Sequence, residues 1–340
     1  MASRPRFKPY FRPLRRGPDS VQLGVSGESG GVVISGLTPA DIALLDRLDG
    51  SFTEQDLYAV AAGCGVARLR ADELLTLLRE HHLLVTERLD RVDLAQLGPG
   101  GRDVLRDDAQ TRGIVHDVPG DPFAQIIDRG RRHVLVSGSG HLPWSIATLL
   151  RFGGVGRVDL GSWAVDAADR ELRDEGVQPR PDLVVLVGEG AVDPSHGEPW
   201  RRRDVPQLPV VTDGHRIVVG PLVGPAAELP CLRCLEMSRA DRDAAWPAVM
   251  AQLAPRTGVS EIRSESTLIS IAAGVVGMVT HAFLAGERVP AGVSVEVTMP
   301  WPRLDHRRWQ RHPRCPGHSA PRPSGRPADA VAAPQATMTG

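Results

Sequence analysis

The chain has 340 residues, 41% of them hydrophobic and 24% charged, with a formal net charge of −1. That length accommodates two separate cores, and near-neutrality argues against a protein that coats nucleic acid through a general positive field. No run approaches the ~18 uninterrupted apolar residues of a membrane span, and the N-terminus lacks an apolar signal region, so a cytoplasmic protein with reduced thiols is expected.

The expected organisation is a small unit over residues 1–90, a linker with a short helix over 91–131, a larger α/β unit over 132–318 and a disordered Pro/Ala/Ser/Gly tail over 319–340. The basic run Arg4, Arg6, Lys8, Arg12, Arg15 and Arg16 reads as a solvated arm. Short extended runs follow the spacing Arg6 to Leu14, Ser20 to Val25 and Gly31 to Ser35, with hairpin punctuation at Gly27 to Gly31. Three helices come next. The first opens at Thr38-Pro39-Ala40-Asp41, where threonine caps, proline suits the first turn and aspartate complements the dipole; its buried stripe is Ile42, Leu45 and Leu48. The second, Thr53 to Ala62, turns Leu57 and Val60 inward, and the third, Arg70 to His81, carries Leu74, Leu77 and Leu78 at helical spacing. Leu83-Leu84-Val85 ends the unit. Sheet followed by three short helices is a winged-helix-like α+β arrangement.

From Arg132 the pattern becomes that of a nucleotide-binding-type α/β fold. His133 to Ser137 is a buried strand, Gly138-Ser139-Gly140 a tight turn, and Pro143 to Phe152 a helix. Arg157 to Leu160, Asp182 to Val187 and Pro209 to Val211 supply further strands. Thr267 to Leu284 is a long apolar helix with Gly274 and Gly277 placed for close packing, and Val293 to Val297 alternates like an edge strand.

Three of four cysteines fall in Cys231-Leu-Arg-Cys234 and Cys315-Pro-Gly-His318. Four cysteines are too few for a disulfide framework, and two such pairs are the donor set of a closed, structural zinc site. His312 is the alternative to His318 as fourth ligand, and Cys64 reads as a buried thiol. A Gly-x-Gly turn after a strand lets backbone N–H groups approach a phosphate, but the third glycine of the dinucleotide motif falls here on Pro143, and Trp144 stands where it would obstruct a nucleotide.

The order of these features resembles the ThiF/MoeB family of ubiquitin-activating-like adenylyltransferases: a strand with Gly138-Ser139-Gly140, the Gly220-Pro221-Leu222-Val223 segment, Pro230 to Leu235, and a terminal cysteine-bearing pair. The N-terminal unit, with Leu14, Gln22-Leu23-Gly24 and its helix trio, resembles the leader-peptide-recognition element of ribosomal-peptide (bacteriocin) biosynthesis. Together they are similar to actinobacterial ThiF-like, TOMM-type cyclodehydratase-domain proteins over roughly residues 4 to 318. The most specific segment runs from Cys231 through Ala240-Asp241-Arg242-Asp243 to Trp246-Pro247, and His318 stands where the family has a cysteine.

The resemblance implies ATP at Gly138, Ser139 and Gly140, magnesium near Glu189, and a homodimer. The chain departs from that pattern. Lys8 is the only lysine among 40 basic residues, Ser139 to Pro181 is too short for the family's phosphate-binding segment, and Arg151, Arg157 and Arg170 read as surface charges. Triphosphate chemistry needs preorganised cations, so adenylation is not expected. The first expectation is a scaffold. A leader peptide adds as a strand beside Val32-Val33-Ile34, with Arg70, Leu74 and Leu77 on the third helix and Arg68 and Arg79 nearby, and is presented to a partner cyclodehydratase. An ATP-dependent adenylyltransferase is the second reading and a winged-helix DNA-binding regulator the third, the last opposed by Asp72, Glu73 and Glu80 facing phosphates.

Overall fold

The computed structural model describes residues 4–8, 11–24, 31–81, 83–85, 105, 108–109, 111–112, 122–161, 180–224, 229–253 and 264–318. The hairpin punctuation up to Gly30, Arg170 and the 319–340 tail lie outside them.

In the N-terminal unit the first extended run splits between two sheets. β1 (Arg6–Phe7) pairs antiparallel with β5 (Leu84–Val85), whereas β2 (Pro13–Arg15), β3 (Ser20–Leu23) and β4 (Val32–Ser35) form a three-stranded antiparallel sheet in that order. The basic segment is therefore no free arm: it opens with a paired strand, and Lys8 is only 4% exposed. Helix α1 (Pro39–Leu45) has the expected cap as a full capping box, Thr38 and Asp41 exchanging side-chain-to-backbone bonds. Thr53 caps α2 (Glu54–Gly63), where Ala61 is buried while Val60 stays half-buried. α3 (Arg68–Glu80) buries Leu74, Leu75 and Leu78 against Ile42, Leu45 and Leu57. Cys64 is half-buried at the edge of this cluster rather than within it.

The larger unit is a seven-stranded mixed sheet in the order β12-β11-β10-β9-β8-β6-β7. β6 (His133–Ser137), β7 (Arg157–Leu160), β8 (Leu183–Glu189) and β9 (Gln207–Thr212) run parallel; β10 (Arg216–Val219), β11 (Val293–Thr298) and β12 (Arg303–Arg308) continue antiparallel. Val293 to Val297 is thus an interior strand, not the edge. The edge is β12, Arg-Leu-Asp-His-Arg-Arg, whose charges discourage further strand pairing; its polarity hid it from a reading based on apolar alternation.

Alternate strand residues feed two faces. Val134, Val136, Leu183, Val185, Val210 and Ile217 pack under α5 (His141–Phe152) and α9 (Ser266–Leu284). Leu135, Val184, Leu186 and Val211 pack on the other side with Trp200 of α6 (Pro194–Arg202) and Leu232 and Leu235 of α7 (Leu232–Ala240). The result is a three-layer α/β/α body. Its remaining described helices are α4 (Pro122–Arg129), which buries Ile126 and Arg129, and α8 (Trp246–Leu253).

α9 is the one described helix long and apolar enough to cross a membrane, yet Leu268, Ile269, Ala272, Ala273 and Val276 on it belong to the core. The two glycines on it differ. A Cβ on Gly277 would lie 2.4 Å from Leu149 Cδ2 of α5, whereas Gly274 has open space around it. Because Leu149 is a flexible side chain, Gly277→Ala is expected to cost about 1–2 kcal/mol by overpacking the α5–α9 seam, and Gly274→Ala to be neutral or slightly stabilising. Urea midpoints of the two variants check this contrast.

Candidate functional site

The two halves of the cysteine motif meet. Cys231 is the N-cap of α7 and Cys234 lies in its first turn, while Cys315 immediately precedes, and His318 ends, a 3₁₀ turn at Pro316–His318. Cys231 Sγ lies 3.7 Å from both Cys234 Sγ and Cys315 Sγ, and Cys234 Sγ lies 3.1 Å from His318 Nε2. All four donor atoms fall within 4.8 Å of one another. A tetrahedral ion with Zn–S bonds of ~2.3 Å holds its sulfurs about 3.8 Å apart, so the cluster has the geometry and donor chemistry to hold a metal such as zinc.

Electrostatics point the same way. Hydrogen bonding to Cys234, together with burial, pushes the Cys231 thiol far above its usual range, and burial raises Cys315. Cys234, receiving those bonds, is lowered to about 4. Without a cation the pocket tolerates one thiolate; a divalent ion removes the repulsion that forbids the others.

His312 is not the fourth donor. It is buried, its Nε2 bonds Asp241 Oδ2 at 2.8 Å and its Nδ1 accepts from the Arg314 backbone N–H at 3.2 Å. Asp241 is the C-cap of α7 and also bonds Arg314. This second tie fastens the C-terminal turn to the helix that carries Cys234. No sequence spacing signals it, because Asp241 and His312 are 71 residues apart.

Gly138, Ser139, Gly140 and Glu189 come together at the carboxyl ends of β6 and β8. Chain order reverses between these strands, and such a switch point opens a crevice. Gly138 and Gly140 have φ of 122° and 95°, which explains the glycines, and Glu189 is exposed at the end of β8. Trp144, in the first turn of α5, is 56% exposed beside this turn. Arg151 and Arg157, read from the sequence as surface charges, make contacts away from this crevice. Arg151 donates to the Val158 carbonyl at 2.5 Å, and Arg157 sits at the amino end of β7, bonded to Asp159, at the far end of the sheet from the crevice.

In the N-terminal unit β4 has a neighbour on one side only among the described residues, and Val33 on it is 42% exposed. Val32 is half-buried and Ile34 buried. Leu74 is buried in the core, so on α3 the surface beside it is made by half-buried Leu77 and by Arg70. The three arginines already have partners: Arg70 meets Asp41 at 3.5 Å and Glu73 at 3.1 Å, Arg79 meets Glu54 at 2.7 Å, and Arg68 lies 4.5 Å over the Tyr58 ring.

No family model matches the sequence, and no curated protein matches it. Solved structures do share the fold. The heterocyclase TruD superposes with a TM-score of 0.62 at 16% identity over 93% of this chain, which spans only 42% of TruD. A heterocyclase solved with substrate and cofactor gives 0.63 at 14% identity over 93% of this chain and 39% of that one. Escherichia coli MccB gives 0.59 at 11% identity, covering 97% of this chain and all of MccB, and MccB together with MccA gives 0.59 at 12% over 94% and 100%. The chain therefore has the mixed α/β fold of these heterocyclase and MccB structures; at such identity the likeness establishes fold alone.

Proposed function

We propose that this chain is a cytoplasmic scaffold of ribosomal-peptide biosynthesis that binds the leader of a precursor peptide and presents it to a partner cyclodehydratase. In this reading residues 1–90 form a winged-helix-like leader-recognition unit and residues 132–318 a ThiF-like body joined by the 91–131 linker. Zinc on Cys231, Cys234, Cys315 and His318 is structural, because a set of four protein donors leaves no open coordination position.

The observation that carries the reading is the edge of β4. A strand paired on one side among the described residues offers main-chain donors and acceptors to an extended peptide, and Val33 adds an exposed apolar contact; in this reading Arg70 and Leu77 of α3 complete the surface. MccB, with the same fold, has been solved with MccA, and TruD is a heterocyclase. The nucleotide crevice is degenerate in this reading, since Trp144 stands beside the glycine turn and Arg151 and Arg157 serve other contacts.

The test uses leader peptides encoded beside the gene. Binding is expected to protect the 32–35 amides from hydrogen exchange, and Val33→Glu to weaken it by about tenfold while leaving the fold intact, as suits an exposed position. Unchanged exchange at β4 on saturation with leader would remove this reading. The competing one, an ATP-dependent adenylyltransferase, is favoured by the glycine turn and Glu189 flanking one crevice; ATP–magnesium titration with pyrophosphate exchange separates the two. Homodimerisation would use the outer faces of α5 and α9, where Trp144, Phe152 and Met278 stand exposed.

A further inference from the structure

A different part of the body carries a cluster that neither the leader-binding surface nor the metal centre uses. On the sheet face opposite α5 and α9, Val211 and Val218 floor a cavity of about 270 Å³ walled by Trp309, Trp246 and four arginines. Three guanidinium groups surround one indole: Arg307 lies 4.4 Å, Arg239 5.5 Å and Arg242 5.9 Å from the Trp309 ring. The indole N–H is already satisfied by Ser294 at 2.9 Å, so the ring acts as a platform. Such stacking holds the guanidinium planes while leaving their N–H edges available.

The ion pairs show which charges are spent. Arg239 is bonded to Glu236, and Arg216 to Asp213 at 2.7 Å. Glu296 is shared between Arg216 at 3.4 Å and Arg307 at 3.9 Å, and Arg242 has no carboxylate partner among the described residues. The excess positive charge is small. Glu296 and Asp213 inside the walls disfavour a phosphate carrying two or more charges, while a flat carboxylate suits a guanidinium fork. Across Trp246 lies a second cavity of about 380 Å³, mostly apolar, with Met237, Pro247 and Met250 in its wall and the carboxylates of Asp193, which caps α6, and Glu236, which is bonded to Arg239 and Trp246, also lining it. One ligand spanning both needs an anionic group next to an apolar one.

We propose that this pair of cavities, divided by Trp246, is a second peptide-binding site that takes an acidic side chain on Arg242 and Arg307 and a neighbouring apolar side chain against Met237 and Met250. It rests on the reading that this chain binds a peptide, but it does not involve the N-terminal unit. The acidic contact supplies selectivity, and the apolar pocket supplies contact area from adaptable methionines.

The test is fluorescence anisotropy on the full-length, zinc-loaded chain with two fluorescein-labelled decapeptides, one alternating Leu and Glu and one alternating Leu and Gln. The Glu peptide is expected to bind at least ~10-fold more tightly, a preference that shrinks in high salt. Arg242→Gln with Arg307→Gln should abolish the preference, and Trp246→Ala should weaken both peptides alike. Val33→Glu should leave the preference in place. Equal binding of the two peptides to the wild-type chain would overturn the proposal without recourse to any variant. So would a preference that survives the double arginine change, one that Val33→Glu removes, or displacement by inorganic phosphate at lower concentration than by acetate. Failure of the leader-binding reading has a separate signature, a leader peptide that leaves β4 exchange unchanged, and it leaves these readouts untouched.

Discussion

Cys315→Ser is expected to lower bound zinc from about one equivalent to a small fraction and to reduce the melting temperature by about 10 °C. Cys315 is nearly inaccessible, and it alone among the sulfurs comes from the C-terminal turn. A serine hydroxyl is a poor replacement for a thiolate, and Cys231, Cys234 and His318 alone would hold the ion weakly, with His318 as its one remaining tie to the C-terminal turn. Loss of such a staple costs on the order of 3–5 kcal/mol, which in a body of this size corresponds to roughly 10 °C. The Asp241–His312 tie persists in the variant, so unfolding should begin at 313–318 rather than across the whole sheet. Elemental analysis with differential scanning calorimetry, before and after chelation, checks both parts. A chain that keeps its melting temperature after complete chelation would refute a structural ion.

Acidification is the second large effect. His281 of α9 is buried beside Arg129, whose Nη1 lies 3.4 Å from His281 Nδ1. Burial first, then the positive charges of Arg129 and Arg112, lowers His281 from 6.5 to about 3. A base whose folded pKa is depressed stays neutral in the fold while the unfolded chain takes up a proton. Stability is therefore complete above pH 6.5 and is lost as pH falls from there towards 3. The loss should approach about 1.4 kcal/mol per pH unit, or about 2 kcal/mol by pH 5. His281→Gln keeps an acceptor for Arg129 and should flatten this limb, so urea unfolding of both proteins between pH 7.5 and 5 isolates the histidine from the titration of the metal ligands. Parallel curves would show that His281 is not the group responsible.

The same neighbourhood explains a boundary that periodicity cannot place. Arg129 at the end of α4 donates to the Gly153 carbonyl at 2.5 Å, and burial with the nearby Arg112 lowers its own pKa to about 10. Arg112 in turn meets Glu287. A Cβ on Gly153 would come within 2.4 Å of His281 Cε1. These contacts bind α4 to the carboxyl ends of α5 and α9, although residues 91–131 have no sustained apolar pattern of their own. A buried arginine held by one carbonyl, a carboxylate and an imidazole leaves no periodic signature.

Local chemistry was legible wherever one residue type does one job. Thr38 and Thr53 announce their caps, the apolar strand centred on Val184 announces burial on both faces, and Gly138 and Gly140 announce a turn needing positive φ. Trp200, fully buried under the sheet in a short proline-containing helix, gave no such sign, because its neighbours are polar. Nor did the trio of arginines on Trp309, which arrive from α7, the turn just after it and β12 across more than sixty residues.

By itself the sequence determined the two Cys/His pairs that could hold a metal, the helix starts and the buried parallel strands, since each depends on residue type and spacing within a turn or a strand. Only the tertiary structure decided that His318 and not His312 joins the thiols, that Val293 to Val297 lies inside the sheet, that Leu74 faces the core, and that Arg242 and Arg307 share a wall with Trp246. Those outcomes depend on distances between segments far apart in the chain, which are set by sheet order and layer packing rather than by any local preference.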